Sequence, residues 1–215
     1  MMISEFSHVD TWIFDLDNTL YPPEAQLFEQ IEARMTEWVV DALGVDRAEA
    51  NEIRKRYWAR FGTTLAGLMR EHDIDPEAYL DHVHDIRLDH LEPDPGLAGA
   101  IATLPGRAIV YTNGSEPYAR RVIEARGLSG IFDAVYGVEH AGFLPKPERL
   151  AFEAIIARDG LMAERAAMFE DDARNLVAPM ALGMRTVLVA KAPDAAPHVQ
   201  HHAPDLAEFL RSLLW

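Results

Sequence analysis

The stretch TWIFDLDNTLY, residues 11–21, decides how the rest of the chain is read. Its first part, TWIFD (11–15), is a short apolar run that leads directly into Leu16-Asp17-Asn18-Thr19. A run of that kind is expected as a buried parallel strand ending in a functional turn. In an open parallel sheet ligands sit at the carboxyl ends of the strands. Asp15 and Asp17 are therefore candidate functional residues from the outset.

Outward from this strand the texture is helical. After Pro22-Pro23, the residues Leu27, Ile31, Met35, Trp38 and Ala42 recur at helical spacing. Further helical patterns cover 46–60, 64–72 and 76–90, punctuated by Gly44, Gly62 and Asp75-Pro76. A connection of this length is far too long for a loop, so 21–91 is read as a helical insertion. Beyond Glu92-Pro93-Asp94-Pro95 apolar strand runs alternate with helices. AIVYTN (108–113) precedes a helix over 115–126, and FDAVYG (132–137) precedes a helix from Pro147 to Arg158. AAMFEDD (166–172) precedes a helix over 173–182, RTVLV (185–189) follows, and a last helix covers 204–214. This alternation predicts an α/β protein with a parallel, doubly wound sheet and right-handed crossovers. The core unit is 1–20 with 92–215, and the small all-helical unit 21–91 is inserted after the first strand.

Composition narrows the chemistry. The chain has 215 residues, with Lys+Arg 20 against Asp+Glu 35, a formal charge of −15. Such a chain repels polyanions, so no nucleic-acid polymer is expected as a partner. There is no cysteine, which removes disulfides, cysteine-ligated metals and a thiol nucleophile together. No apolar run reaches the roughly 18 residues of a membrane span. The opening MMISEFSHVD lacks a secretory signal pattern, so a cytoplasmic location and no membrane partner are expected.

Three of the predicted strands end in polar residues: Asp15 and Asp17; Thr112, Asn113 and Gly114; Glu170, Asp171 and Asp172. Lys146 stands before Pro147 at an expected helix start, where an amine and a helix N-terminus both suit a phosphate. Converging carboxylates would repel one another unless a hard divalent cation lay between them, and Mg²⁺ fits. The collection reads as a phosphoryl-transfer site. One carboxylate can serve as nucleophile, another as acid and then base, while a hydroxyl, an amide and an amine hold the phosphoryl oxygens.

FDLDNTLY (14–21), YTNG (111–114), KPERLAF (146–152) and FEDDARNL (169–176) resemble the four motifs of the haloacid dehalogenase-like hydrolase superfamily. The resemblance implies a Rossmann-like core, makes the helical insertion between the first two motifs a mobile cap, and implies an aspartyl-phosphate mechanism. It makes Asp15 the nucleophile and Asp17 the general acid/base, with Thr112, Asn113 and Lys146 on the phosphate. It places Mg²⁺ on Asp15, Asp171 and the main-chain carbonyl of Asp17, with Glu170 and Asp172 as direct or water-mediated neighbours. True dehalogenases of the superfamily lack an acid at the position of Asp17, so phosphatase or phosphomutase chemistry is expected. Residues 56–86 resemble the cap of pyrimidine 5′-nucleotidase-like members, with Phe61 and Tyr118 as departures.

The expected reaction is hydrolysis of a small phosphorylated metabolite, first of all a nucleoside 5′-monophosphate, by a monomer or homodimer. A sugar phosphate or phosphoglycolate, a phosphomutase reaction and an idle nucleotide-binding module stay open. Tyr21 is the candidate for substrate discrimination. Trp38, Tyr57, Trp58, Phe61 and Tyr79 are expected as cap core. His198 and His202, four apart, could chelate a metal on a helix, but Pro197 and Pro204 flank them and no carboxylate-rich partner stands nearby in the sequence, so no metal site is expected there.

Overall fold

A computed structural model describes residues 5–213. Residues 1–4 of the expected core unit and the expected end of the last helix at 214 lie outside them.

The sheet has six parallel strands in the order β3-β2-β1-β4-β5-β6. These are β1 Thr11–Phe14, β2 Arg107–Tyr111, β3 Ala134–Tyr136, β4 Ala166–Glu170, β5 Arg185–Val189 and β6 His201–Ala203. The central strands are apolar along their length because helices cover both faces, and side chains alternate between two cores. Trp12, Phe14, Val110 and Phe169 enter one core; Ile13, Ile109, Tyr111 and Met168 enter the other. The connections run one way from β1 to β2 and β3, and the other way through β4 to β5 and β6. The ends of β1 and β4 therefore flank a topological switch point, the place where such sheets bind ligands.

Between β1 and β2 the chain forms α1 Leu27–Leu43, α2 Arg47–Phe61, α3 Thr64–His72, α4 Pro76–Val83 and α5 Pro95–Ala102. Local chemistry sets their starts. The Asp46 carboxylate accepts from the N–H groups of Ala48 and Glu49, Thr63 from Ala66, and Asp75 from Glu77 with Pro76 as the first helical residue. Gly67 lets α3 lie against α2: a Cβ there would come within 2.2 Å of the Tyr57 ring. Arg126 joins the two places where the chain leaves and re-enters the sheet. It donates to the carbonyls of Leu20 and Glu92 and to the Asp94 carboxylate, the last at 2.7 Å.

The remaining helices are α6 Glu116–Ala125, α7 Arg149–Asp159, α8 Val177–Ala181 and α9 Leu206–Ser212. Several differ from expectation. The helix expected over 76–90 stops at Val83. Helix α7 begins at Arg149, after a cis Lys146-Pro147 bond, so Pro147 is not its first residue. The helix expected over 173–182 is a 3₁₀ turn, Ala173–Leu176, followed by the short α8. Helix α5 was not anticipated, although Asp94-Pro95 caps it in the usual way. His201 and His202 lie on strand β6, so the four-residue spacing of His198 and His202 is not helical. Among the described residues no helix is long and apolar enough to cross a membrane.

Gly106 sets how closely β2 approaches the start of β1. Its φ is +89°, and a Cβ would sit 2.1 Å from the carbonyl oxygen of Asp10, which accepts from the N–H of Arg107 at 2.8 Å. Gly106→Ala is expected to destabilise by about 2 kcal/mol or more, lowering Tm by roughly 4 °C or more. Thermal unfolding by calorimetry checks this, and an unchanged Tm would contradict the close approach.

Candidate active site

Asp15 follows the last residue of β1, where its N–H still donates to the carbonyl of Phe169 at 2.9 Å. That bond continues the sheet and aims the carboxylate out of the strand end. Lys146 meets it from the loop before α7: Nζ lies 2.6 Å from Asp15 Oδ1, 3.2 Å from the Tyr111 carbonyl and 3.3 Å from Glu170 Oε1. Lys146 is only 1% exposed. Burial pulls its pKa down, but the charges of Asp15 and Glu170 more than offset this, so the ammonium is retained.

Asn113 fixes that lysine. Its Oδ1 accepts from the Lys146 N–H at 2.7 Å, and its Nδ2 donates to the Lys146 carbonyl at 3.1 Å. This departs from expectation: the Asn113 side chain, assigned to phosphate, bridges the end of β2 to the lysine loop. The Thr112 hydroxyl accepts from the N–H of Gly114 at 2.9 Å and donates to Asp17 Oδ2 over a long 3.5 Å.

Asp17 stands in a different environment from Asp15. Both Tyr21 and Tyr118 donate their hydroxyls to its Oδ1, at 2.5 and 2.7 Å. Burial and the nearby charge of Asp15 push its pKa up to about 6, against the pull of the two tyrosines. Tyr21, expected to face the crevice and sort substrates, is buried and bonded to Asp17 instead. Its hydroxyl turns inward because Asp17 is the polar partner within reach of a ring packed in the core.

The acidic cluster is Asp15, Glu170 and Asp171, with one oxygen of each within 4.8 Å of the others. Glu170 Oε1 is held by Lys146 and Asn175, whereas Oε2 is buried with no partner. Burial and then the charge of Asp15 raise the pKa of Glu170, and the same causes lift Asp171 to about 7. One ammonium does not balance three carboxylates, and an unpartnered buried carboxylate oxygen is a vacant ligand. This donor set fits a hard divalent cation. Asp172 is outside the cluster: Arg174 binds its carboxylate at 3.0 Å and its pKa falls despite burial. The Asp17 carboxylate is also outside, engaged with the tyrosines, which leaves its main-chain carbonyl for the expected metal contact.

These groups open onto a cavity of about 500 Å³ between the strand ends and the inserted helices. Ile31, Arg54, Trp58 and Thr64 line it from the inserted side. Tyr57, Phe61 and Tyr79 are buried as expected of cap core, but Trp58 is 51% exposed, with the Arg174 guanidinium 3.6 Å over its ring. Sequence reading missed Arg54, Asn175 and Arg174 as parts of the site. Asn175 and Arg174 lie within a quoted motif; Arg54 had no signal beyond being a charge on a helix.

The raised carboxyl pKa values have a sign that can be tested without turnover. The native state keeps protons that the unfolded chain releases above about pH 4, so metal-free stability falls as pH rises from about 4 to about 7. Asp171→Asn is expected to flatten that slope and, in EDTA at pH 8, to raise Tm by roughly 3 °C or more. Mg²⁺ should raise the wild-type Tm more at pH 8 than at pH 5. A lower Tm for the variant at pH 8 would mean that the carboxylates are not in conflict.

A family model described as haloacid dehalogenase-like hydrolase matches residues 9–183. Phosphate metabolism protein 8 of Saccharomyces cerevisiae is 25% identical over 193 residues, which cover 82% of this chain and 60% of the yeast protein. The chain thus spans only about three fifths of that relative. The HAD phosphatase of Thermococcus onnurineus has a TM-score of 0.63 at 19% identity, over 96% of this chain and 98% of its own. The 2-haloacid dehalogenase of Pseudomonas syringae pv. Tomato has a TM-score of 0.62 at 21% identity, over the same shares, 96% and 98%. Likeness at these identities speaks for the fold, and it reaches phosphatases and dehalogenases alike. The family match, by contrast, runs through the strand ends that carry Asp15, Thr112 and Asp171 and through the loop that carries Lys146, and on it this chain belongs to the haloacid dehalogenase-like hydrolases.

Proposed function

We propose that this hydrolase is a Mg²⁺-dependent phosphomonoester phosphatase that passes through an aspartyl-phosphate on Asp15. The observation that carries the reading is Asp17: an acid beside the nucleophile, with a pKa pushed up to about 6, lining the same cavity. A leaving alkoxide needs a proton and a halide does not, so such a group serves phosphate esters. The yeast relative, named for phosphate metabolism, points the same way.

In this reading Lys146 engages Oδ1 of Asp15, leaving Oδ2 to attack phosphorus. The bond from phosphorus to the ester oxygen breaks, and Asp17 delivers its proton to that oxygen. Water then attacks the aspartyl-phosphate, Asp17 takes the proton, and Asp15 is released as carboxylate. The Lys146 ammonium and the Thr112 hydroxyl meet the phosphoryl oxygens. A divalent cation held by Asp15, Asp171 and the free oxygen of Glu170 would offset the anionic charge gathered there. The substrate we favour is a nucleoside 5′-monophosphate, because the cavity has small-metabolite size and mixes apolar walls with polar groups.

Asp15→Asn is expected to cost on the order of 10³-fold or more in phosphate release, since an amide is a poor nucleophile. Asp17→Asn should cost roughly 10²- to 10⁴-fold, and less on esters whose leaving group needs no proton. Turnover should vanish in excess EDTA and return with Mg²⁺. A near wild-type rate for Asp15→Asn would show that another group attacks.

Specificity is expected to reside on the inserted side of the cavity. Trp58→Ala should reorder kcat/KM across nucleoside monophosphates, sugar phosphates and phosphoglycolate, whereas Lys146→Ala should lower all of them evenly. An unchanged order for Trp58→Ala, with reordering by Lys146→Ala, would reverse that assignment.

A further inference from the structure

We propose that Tyr118 and Tyr21 are positioning residues that clamp one oxygen of Asp17 and so direct its other oxygen at the leaving group. The inference rests on the acid/base reading of Asp17. Both tyrosine hydroxyls, 3.5 Å apart, converge on Asp17 Oδ1, at 2.7 and 2.5 Å. An oxygen already accepting from two hydroxyls has little room for a proton of its own. The proton is therefore carried by Oδ2, on the side of Thr112. The Thr112 hydroxyl, at 3.5 Å, is too far to hold that oxygen firmly. A carboxyl free to rotate would present its proton in many directions, whereas the clamp leaves one.

The clamp is itself supported from the inserted helices. The ring of His84, at the end of α4, stacks on the Tyr118 ring with centroids 4.3 Å apart and planes 3° from parallel. Ser115 meets His84 Nδ1 at 3.0 Å, and Arg121 donates to the His84 carbonyl at 2.6 Å. Burial and the Arg121 charge push the His84 pKa down to about 3, so a neutral ring faces the tyrosine. Gly114 leaves the space: a Cβ there would stand 3.1 Å from the Tyr118 ring and 3.4 Å from His84 Nε2. Tyr118 thus reaches both the inserted helices and the acid/base group.

The test compares Tyr118→Phe and Tyr21→Phe, each alone and in an Asp17→Asn background, on an alkyl phosphate and on p-nitrophenyl phosphate. Each single variant should lower kcat on the alkyl ester on the order of tenfold, with KM within about twofold. The loss on p-nitrophenyl phosphate should be under about threefold, because that leaving group needs no proton. Neither substitution should cost anything further once Asp17 is Asn. Equal losses on both esters, or the same loss in the Asp17→Asn background, would overturn the clamp. So would tyrosine variants as active as wild type while Asp17→Asn shows its leaving-group dependence. If Asp17→Asn shows none, the acid/base reading falls and the clamp with it. Should Tyr118→Phe fail to fold, Tyr21→Phe carries the same comparison.

Discussion

The ammonium of Lys146 is the interaction on which the site depends. It is buried among carboxylates at the ends of β1 and β4, touching Asp15, Glu170 and a carbonyl of β2. Ions taken out of water are stable only when geometry and hydrogen bonding compensate their lost hydration. Every neighbour contributes to that compensation: Asn113 fixes the lysine backbone, Asn175 holds Glu170, and the sheet register places the three strand ends side by side. The compensation is incomplete, because the carboxylates outnumber the ammonium and one oxygen of Glu170 has no partner. That residual imbalance is what a divalent cation would meet.

The two aspartates of FDLDN differ through their surroundings alone. Asp15 faces a lysine, and Asp17 faces two phenols under a cover of inserted helices. Two like groups given different partners are suited to different tasks, in the proposed reaction one as nucleophile and the other as proton carrier. The separation relies on β1 ending between them: Asp15 still belongs to the sheet through its N–H, and Asp17 lies in the turn beyond.

The inserted helices meet the sheet at a few polar points rather than only through the apolar core. Arg126 gathers both crossings of the chain, Trp58 lies against Arg174, and His84 lies against Tyr118. Contacts of this kind fix relative position while remaining open to rearrangement, which would suit a cover over the proposed two-step reaction, where water is first excluded and later admitted.

Much of this was legible in the chain because it is encoded locally. Apolar runs ending in Asp15, Thr112 and Glu170 announce strands whose ends are functional, and a long helical interval announces an insertion. The parallel α/β class follows from the alternation of strand and helix, and the candidate site residues follow from the strand ends, with Lys146 from the KPERLAF stretch. What depended on distance along the chain was not legible. Tyr118 is 101 residues from Asp17, and only the folded chain brings its hydroxyl to that carboxylate. Nothing in FDLDNTLY itself shows that the Tyr21 hydroxyl turns to Asp17 rather than to substrate. The side chain of Asn113 was spent on the Lys146 backbone, 33 residues away. Short elements such as β6 and α5 carry too few residues for a period to show. Sequence by itself determined the strands, the helical insertion and the motifs that carry the candidate site residues. Tertiary structure decided which of them touch, since hydrogen bonds are satisfied by proximity in space and not along the chain.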